Sequence, residues 1–276
     1  MNLYPANKPQ AQKKTQMTKS NSGSDLMTFW GHLEVFRKIL FQIAAIVAVL
    51  MIVIFTFKTT VWEIVLAPRS SDFILFRFLQ RIIDFFGLPF QFESFDVKLI
   101  NTELASQFMI HLQTTACFAV LLASPYIVYR LFRYISPALY KHEKRYSVIL
   151  IFCAYILFAL GLLVNYFIVF PFSFRFLGTY QVDESITNTI TLSSYISSFI
   201  MLSLVMGLVF QIPILAYFLS KFGLITADLL KKYRRYAFFI IVVVAAIITP
   251  PDIFSCILVT IPMYLLYELS IWVVRK

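Results

Sequence analysis

The chain has 276 residues, 60% of them hydrophobic and only 14% charged, with thirty phenylalanines and a formal net charge of +10. Soluble domains carry about 25% charged residues and about half apolar ones, so this composition excludes a water-soluble globular fold. The basic balance does not point to nucleic acid, because the cations gather in loops on one side of long apolar runs. Those runs have helical length: a spanning helix needs about 20 apolar residues, whereas a membrane barrel shows alternating segments of about ten.

Residues 1–25 are rich in Lys, Gln, Ser, Thr and Asn and lack a secretory apolar region, so they are expected to be a disordered polar tail. The ordered membrane domain is expected over 26–276. Leu26, Phe29, Trp30, Leu33, Phe36 and Leu40 fall at helical spacing, with His32, Glu34 and Lys38 off that stripe. This predicts an amphipathic lead-in at the membrane interface, entering a first span at 39–57. In the long loop that follows, Arg77, Gln80, Arg81 and Asp84 form one polar stripe at i, i+3, i+4 and i+7, which predicts a surface helix over 73–86 rather than a span. Further spans are expected at 108–129, at 148–170 with Pro171 as its end, and at 195–218, interrupted by Gln211 and Pro213. The last two, 237–248 and 253–274, are separated only by Thr249-Pro250-Pro251-Asp252. Twelve residues make about 18 Å of helix, short of a core about 30 Å thick. Proline disfavours helix in the residue before it, and Pro or Asp suits a first turn, so this tetrapeptide predicts a tight hairpin of short helices that thins the bilayer.

The expected fold is therefore all-α and polytopic, with six transmembrane helices, the last two short. With six spans, the N-terminal region, the 130–147 loop, the 219–236 loop and the C-terminus share a side and hold 18 of the 24 Lys and Arg residues. That asymmetry places both termini on the cytoplasmic side, or the matrix or stromal side of an organelle.

No nucleophile, base or phosphate-cradling arrangement is present, and the chain has seven glycines and three dispersed histidines, so no enzyme activity and no cofactor are expected. Cys117, Cys153 and Cys256 lie apart in apolar runs without metal-ligand spacing, so no metal site is expected. The informative residues are polar groups at membrane depth: Gln211 and Glu268, then Asn165 and Gln42, with His111 a helix-packing hydrogen bonder. A carboxylate near a helix centre costs about 2.5–3.5 kcal/mol on insertion scales. Glu268 either snorkels and pairs with Arg275, about 10 Å further along the helix, or serves a polar function. Gln211, two residues before Pro213, either caps freed backbone locally or lines a patch for a partner helix. On this footing a six-span small-solute or ion carrier is an alternative, weakened by the lack of an internal repeat.

The last third resembles a known family. Phe210-Gln211-Ile212-Pro213, Leu229 to Tyr236, Thr249-Pro250-Pro251-Asp252-Ile253-Phe254-Ser255 and Ile261 to Glu268 are similar to TatC, the multispanning subunit of the twin-arginine (Sec-independent) protein translocase. Ser136-Pro137-Ala138-Leu139-Tyr140-Lys141-His142-Glu143-Lys144-Arg145 extends the likeness, with Ala67-Pro68 before it, over about residues 27 to 275. The resemblance implies a receptor that binds twin-arginine signal peptides of folded cargo within the lipid bilayer. It also implies recruitment of single-span partners of the TatA/TatB type, transport driven by the proton-motive force and a homo-oligomer in the receptor complex. Carried over by position, Glu143 is the carboxylate offered to the arginine pair, with Tyr134, His142 and Glu34 beside it as signal-binding candidates. Gln211, Pro213 and Glu268 are implied at the partner helix and polar cavity; Pro68, Pro137, Pro250, Pro251 and Asp252 are structural motif positions.

One position departs from the family pattern His-Leu-x-Glu-Leu-Arg. Here the chain reads His32-Leu33-Glu34-Val35-Phe36-Arg37, so Val35 stands where the family has its second carboxylate. One residue is about 100° around a helix, which turns Glu34 toward Lys38 at i+4 instead. That divergence and the Phe/Ile-rich, Gly-poor composition point to a mitochondrial inner membrane, ahead of a plastid thylakoid or bacterial inner membrane.

Overall fold

The computed structural model describes residues 29–87, 97–135, 144–183 and 188–275, nearly all of them helical. The chain divides into a leading unit, residues 1–38, and a body, residues 39–276. The first helix, α1 (Phe29–Thr56), belongs to both and runs unbroken, since the segment holds no proline and Gly31 alone among glycines.

After α1 come α2 (Lys58–Leu66), a 3₁₀ turn (Ala67–Arg69) and α3 (Ile74–Phe85), a helix where the polar stripe predicts one. Next, α4 (Ser106–Ile135) continues through Pro125. The third apolar segment departs from expectation. It does not stop at Pro171 but runs as α5 (Lys144–Val164), a π-turn (Asn165–Val169) and α6 (Phe170–Thr179). In a regular helix the proline ring would clash with the turn before it. Here the N–H of Phe170 reaches back to the carbonyl of Asn165, and this widened turn lets Pro171 sit in the first turn of α6, where no N–H is needed.

The fourth segment is α7 (Leu192–Val209) and α8 (Ile212–Lys221), broken at Phe210–Gln211 with Pro213 in the first turn of α8. Thr191 caps α7 by accepting the Ser194 N–H at 3.2 Å. After α9 (Ala227–Lys232), the closing pair is α10 (Arg234–Ile248) and α11 (Ile253–Arg275). Only the first of these is short. With 15 residues α10 spans about 22 Å, whereas the 23 residues of α11 span about 34 Å, because Pro262 is accommodated inside it.

Five described segments are long and apolar enough to cross a bilayer: Leu33–Thr56, Ser106–Leu131, Ile149–Thr179, Leu192–Lys221 and Ile253–Arg275. The shorter α10 lies antiparallel to α11. Arg234 meets Glu268 at 2.7 Å, the Phe238 ring meets Tyr264 at 5.6 Å, and Cys256 Sγ approaches the Val242 carbonyl at 3.9 Å. The protein is thus an all-α, polytopic membrane protein.

Two contacts tie loops together at one end. A two-residue parallel pair joins β1 (Leu99–Ile100) to β2 (Ile190–Thr191), with Leu99 opposite Ile190, so the long first loop and the loop before α7 share a face. Phe176, near the end of α6, stacks on Phe254 at the start of α11 at 4.6 Å, which brings the Thr249–Asp252 turn to that same end. Arg234 and Glu268 mark the other end of the hairpin.

The centre of the body is α7. In the α7–α8 segment 61% of the most apolar window is buried, against 11% for α1. Outward residues such as Phe41, Ile52, Ile257 and Leu265 are exposed in the isolated chain, as befits lipid-facing positions. At the loop-stitched end the core is aromatic: Phe170 packs edge-on against Tyr195 at 5.1 Å and Phe199 at 5.0 Å. The buried Tyr195 hydroxyl donates to the Val65 carbonyl at 2.7 Å, and Tyr166 to that of Ile64 at 2.8 Å, clamping the end of α2 onto the helices.

Candidate functional site

Two of the polar groups at membrane depth, Asn165 and Gln211, lie on the α5–α7 seam. A Cβ at Gly161 would lie 2.6 Å from the Met206 carbonyl oxygen, so backbone approaches closely there because the position carries no side chain, while at Gly207 the space a Cβ would need is taken by the Phe158 ring, with Cε2 at 2.6 Å. Two interhelical hydrogen bonds flank this crossing. The fully buried Asn165 donates from Nδ2 to Ser203 Oγ at 2.9 Å, and its Oδ1 has no partner among the described residues. Gln211 donates from Nε2 to the Ala154 carbonyl at 3.0 Å. The acceptor lies on α5 and not on the helix of Gln211 itself, so the side chain bridges two helices of this chain instead of capping local backbone. Pro213 is buried in the first turn of α8, directly after that bridge.

Glu268 also has a defined partner, and it is not Arg275. Arg234 Nη2 stands 2.7 Å from Glu268 Oε2, while the Tyr264 hydroxyl donates to Oε1 at 3.1 Å. Tyr267 ties the same end down by donating to the Leu230 carbonyl at 2.7 Å. Arg234 is the first residue of the short α10, so Glu268 sits level with a helix terminus, and both side chains keep about a third to a half of their exposure. The carboxylate that reads as mid-span in the sequence thus lies beside the start of a shorter neighbouring helix. Nothing local in the sequence marks Arg234 as this partner, although it lies within the Leu229 to Tyr236 stretch.

At the loop-stitched end the proline motifs build turns. Asp252 accepts the Ser255 N–H at 2.6 Å and so caps α11, while its own N–H returns to the Pro250 carbonyl at 2.6 Å. Thr249, buried, donates its hydroxyl to Ala245, closing α10 before Pro250 and Pro251. Pro68 is buried in the 3₁₀ turn after α2. Beside it Thr59, Trp62, Glu63, Leu66, Ala67, Arg69 and Ser70 line an open cleft of about 480 Å³.

Tyr134 is half-buried in the last turn of α4. Pro137, His142 and Glu143 lie outside the described residues. Glu34 Oε1 is 2.8 Å from Lys38 Nζ, both exposed, and Val35 is half-buried. His111 is buried and stacks on Phe55 at 4.3 Å, its Nε2 without a hydrogen-bond partner among the described residues. Gln42 is exposed.

The family model for the Sec-independent protein translocase protein (TatC) matches residues 31–262. The chain belongs to the TatC family. The TatC of Blattabacterium sp. subsp. Periplaneta americana is 37% identical over 251 residues, which is 90% of this chain and 94% of that protein. Escherichia coli K12 TatC is 34% identical over 177 residues, 64% of this chain and 68% of the relative. A crystal structure of the twin-arginine translocase receptor TatC in DDM superposes with a TM-score of 0.72 at 31% identity, covering 89% of this chain and all of that one. These TatC relatives are bacterial, and nothing in them supports the expected mitochondrial location.

Proposed function

We propose that this TatC-family chain is the signal receptor of a twin-arginine protein translocase. What carries the reading is the likeness, along 89% of the chain, to a solved structure described as the twin-arginine translocase receptor. In this reading both termini and the 136–143 loop face the cytoplasm of a bacterium, and the protein sits in its inner membrane. Glu143 is the recognition carboxylate, with Tyr134 and His142 beside it. Arginine presents paired donors to a carboxylate where lysine acts as a point charge, so an Arg-Arg signal is distinguished from Lys-Lys by geometry. Glu34, turned to Lys38, contributes less than a carboxylate at Val35 would. Gln211, Pro213 and Glu268 form the polar side that meets a TatA/TatB-type single-span helix. Copies of the receptor assemble together, and the proton-motive force drives transport of folded cargo; the protein itself catalyses no bond chemistry.

The test is site-specific crosslinking from the 136–145 loop to a twin-arginine peptide, together with Glu143→Gln. A bond to a charged group is worth about 1.5–3 kcal/mol, so the variant is expected to weaken binding by roughly 10- to 150-fold while inserting normally. Equal labelling by a Lys-Lys peptide, or unchanged affinity in a normally inserted variant, overturns the role.

A further inference from the structure

The surface helix α3 (Ile74–Phe85) has two apolar sides with different surroundings. Its inner side is pinned to the third segment. Phe73, just before the helix, meets Tyr166 edge-on at 5.5 Å and stacks with Phe167 at 5.9 Å. Phe76 meets Phe172 at 5.9 Å, with the Arg175 guanidinium 5.2 Å from its ring centre. The other side is open: Ile74, Phe78 and Phe85 are 60%, 58% and 85% exposed. At about 100° per residue these three fall within roughly 40° of one another, a single row along the helix. Arg77 and Arg81 are exposed along one margin of that row and form no ion pair among the described residues. The acid of the polar side, Asp84, accepts from Gln80 at 2.8 Å.

The depth of α3 follows from its anchors. The third bilayer-length segment, Ile149–Thr179, has 31 residues, or about 46 Å of helix, so a hydrocarbon core about 30 Å thick leaves about 16 Å of it outside. Phe167 and Phe172, which hold α3, lie in the second half of that segment. An amphipathic helix pinned there, with an apolar row edged by guanidiniums, matches the boundary between acyl chains and headgroups.

We propose that α3 is a lipid-binding element seated in the bilayer interface at the end of the protein where α1 terminates. Ile74, Phe78 and Phe85 enter the outermost acyl region, and Arg77 and Arg81 hold phospholipid phosphates by charge-assisted hydrogen bonds while their stems lie along the apolar row. The seat does not depend on receptor function or on which side faces the cytoplasm. Through Phe73 and Phe76 it fixes the third segment, with its π-turn, at a set depth.

The test places a tryptophan on each side of α3 in the full-length protein, reconstituted in phosphatidylcholine brominated near the top of the acyl chains. Phe78→Trp and, as a second position on the row, Ile74→Trp are compared with Asp84→Trp, and unmutated protein supplies the common background of the three native tryptophans. Bromolipid is expected to quench the added emission from positions 74 and 78 at least twofold more than from 84. Adding Arg77→Gln and Arg81→Gln is expected to halve that difference. Equal quenching on both sides overturns the proposal, as does quenching at 74 and 78 that appears only when the protein is diluted in the bilayer, which would mean that a second copy covers the row.

Discussion

Replacing Gly161 by alanine tests whether backbone contact sets the α5–α7 seam. The new Cβ would stand 2.6 Å from the Met206 carbonyl oxygen and 2.9 Å from two atoms of the Phe210 ring. Non-bonded carbons prefer about 3.5–4.0 Å, so roughly 1 Å has to be found, and a helical carbonyl cannot swing aside as a side chain can. The helices must part at this level. The Gln211–Ala154 and Asn165–Ser203 bonds, at 3.0 and 2.9 Å, flank it and have little slack before their geometry is lost. Overpacking costs about 1–3 kcal/mol. Each interhelical bond in lipid adds about 0.6 kcal/mol, and alanine returns about 0.8–1.0 kcal/mol as a better helix former than glycine. The net expectation is a loss of about 1–3 kcal/mol, or an apparent melting point lower by roughly 4–8 °C near the middle of that range. The assay heats detergent-solubilised protein and measures the monodisperse fraction by size exclusion. Leu163→Ala, at an exposed position on the same helix, should move the midpoint by no more than about 1 °C. Gly207→Ala should fall between the two, since it meets the movable edge of Phe158 rather than backbone. A Gly161→Ala midpoint no lower than that of Leu163→Ala would refute the contact argument.

Two further outcomes follow from paired groups elsewhere. Tyr195→Phe removes the buried donor to the Val65 carbonyl and is expected to destabilise by about 1–3 kcal/mol. Tyr166→Phe should cost under about 1 kcal/mol, because its bond to Ile64 is exposed and water can replace the hydroxyl. Limited proteolysis of the first loop reads this order, and equal cleavage rates would contradict it. For Arg234 and Glu268, the 2.7 Å contact is partly solvated, so neutralising either should cost no more than about 1 kcal/mol. Arg234→Glu should do worse, and the exchange Arg234→Glu with Glu268→Arg should recover more than half of that loss; a double-mutant cycle without coupling would mean that the pair does not hold the α10–α11 rim.

Run length made the helical segments legible, because a bilayer imposes that length on every spanning helix. The stripe of Arg77, Gln80, Arg81 and Asp84 was legible for the same kind of reason: a charge pattern at period 3.6 cannot lie in hydrocarbon. Thr249-Pro250-Pro251-Asp252 could be read as a turn because each residue acts locally, and Asp252 does cap α11. What stayed hidden depends on distant chain or on accommodation. The pairing of Leu99 with Ile190 is two residues long and shows no period. Pro171 reads as a stop, since nothing local announces that the preceding turn widens to admit it. Glu268 reads as a mid-span acid until α10, 34 residues earlier at Arg234, is seen to begin level with it.

The strength of these bonds decides which part of the site can change partners under the proposed function. Asn165 is fully buried and its amide is held by Ser203, so removing it from the seam would leave buried polar atoms stranded. Gln211 differs. It is only half-buried, it contributes one interhelical bond of about 0.6 kcal/mol, and it stands at a break before Pro213, where the backbone is already interrupted. A partner helix that offers Gln211 one comparable acceptor can therefore take it from Ala154 with little net change in energy. Glu268 is similarly placed, since its pair with Arg234 is partly solvated and weak. Exchange with an incoming helix is thus cheapest along the α8–α11 side and dearest at the glycine-tight centre. The reading expects a partner-induced change to loosen Gln211 first and to leave Asn165 and Ser203 in place.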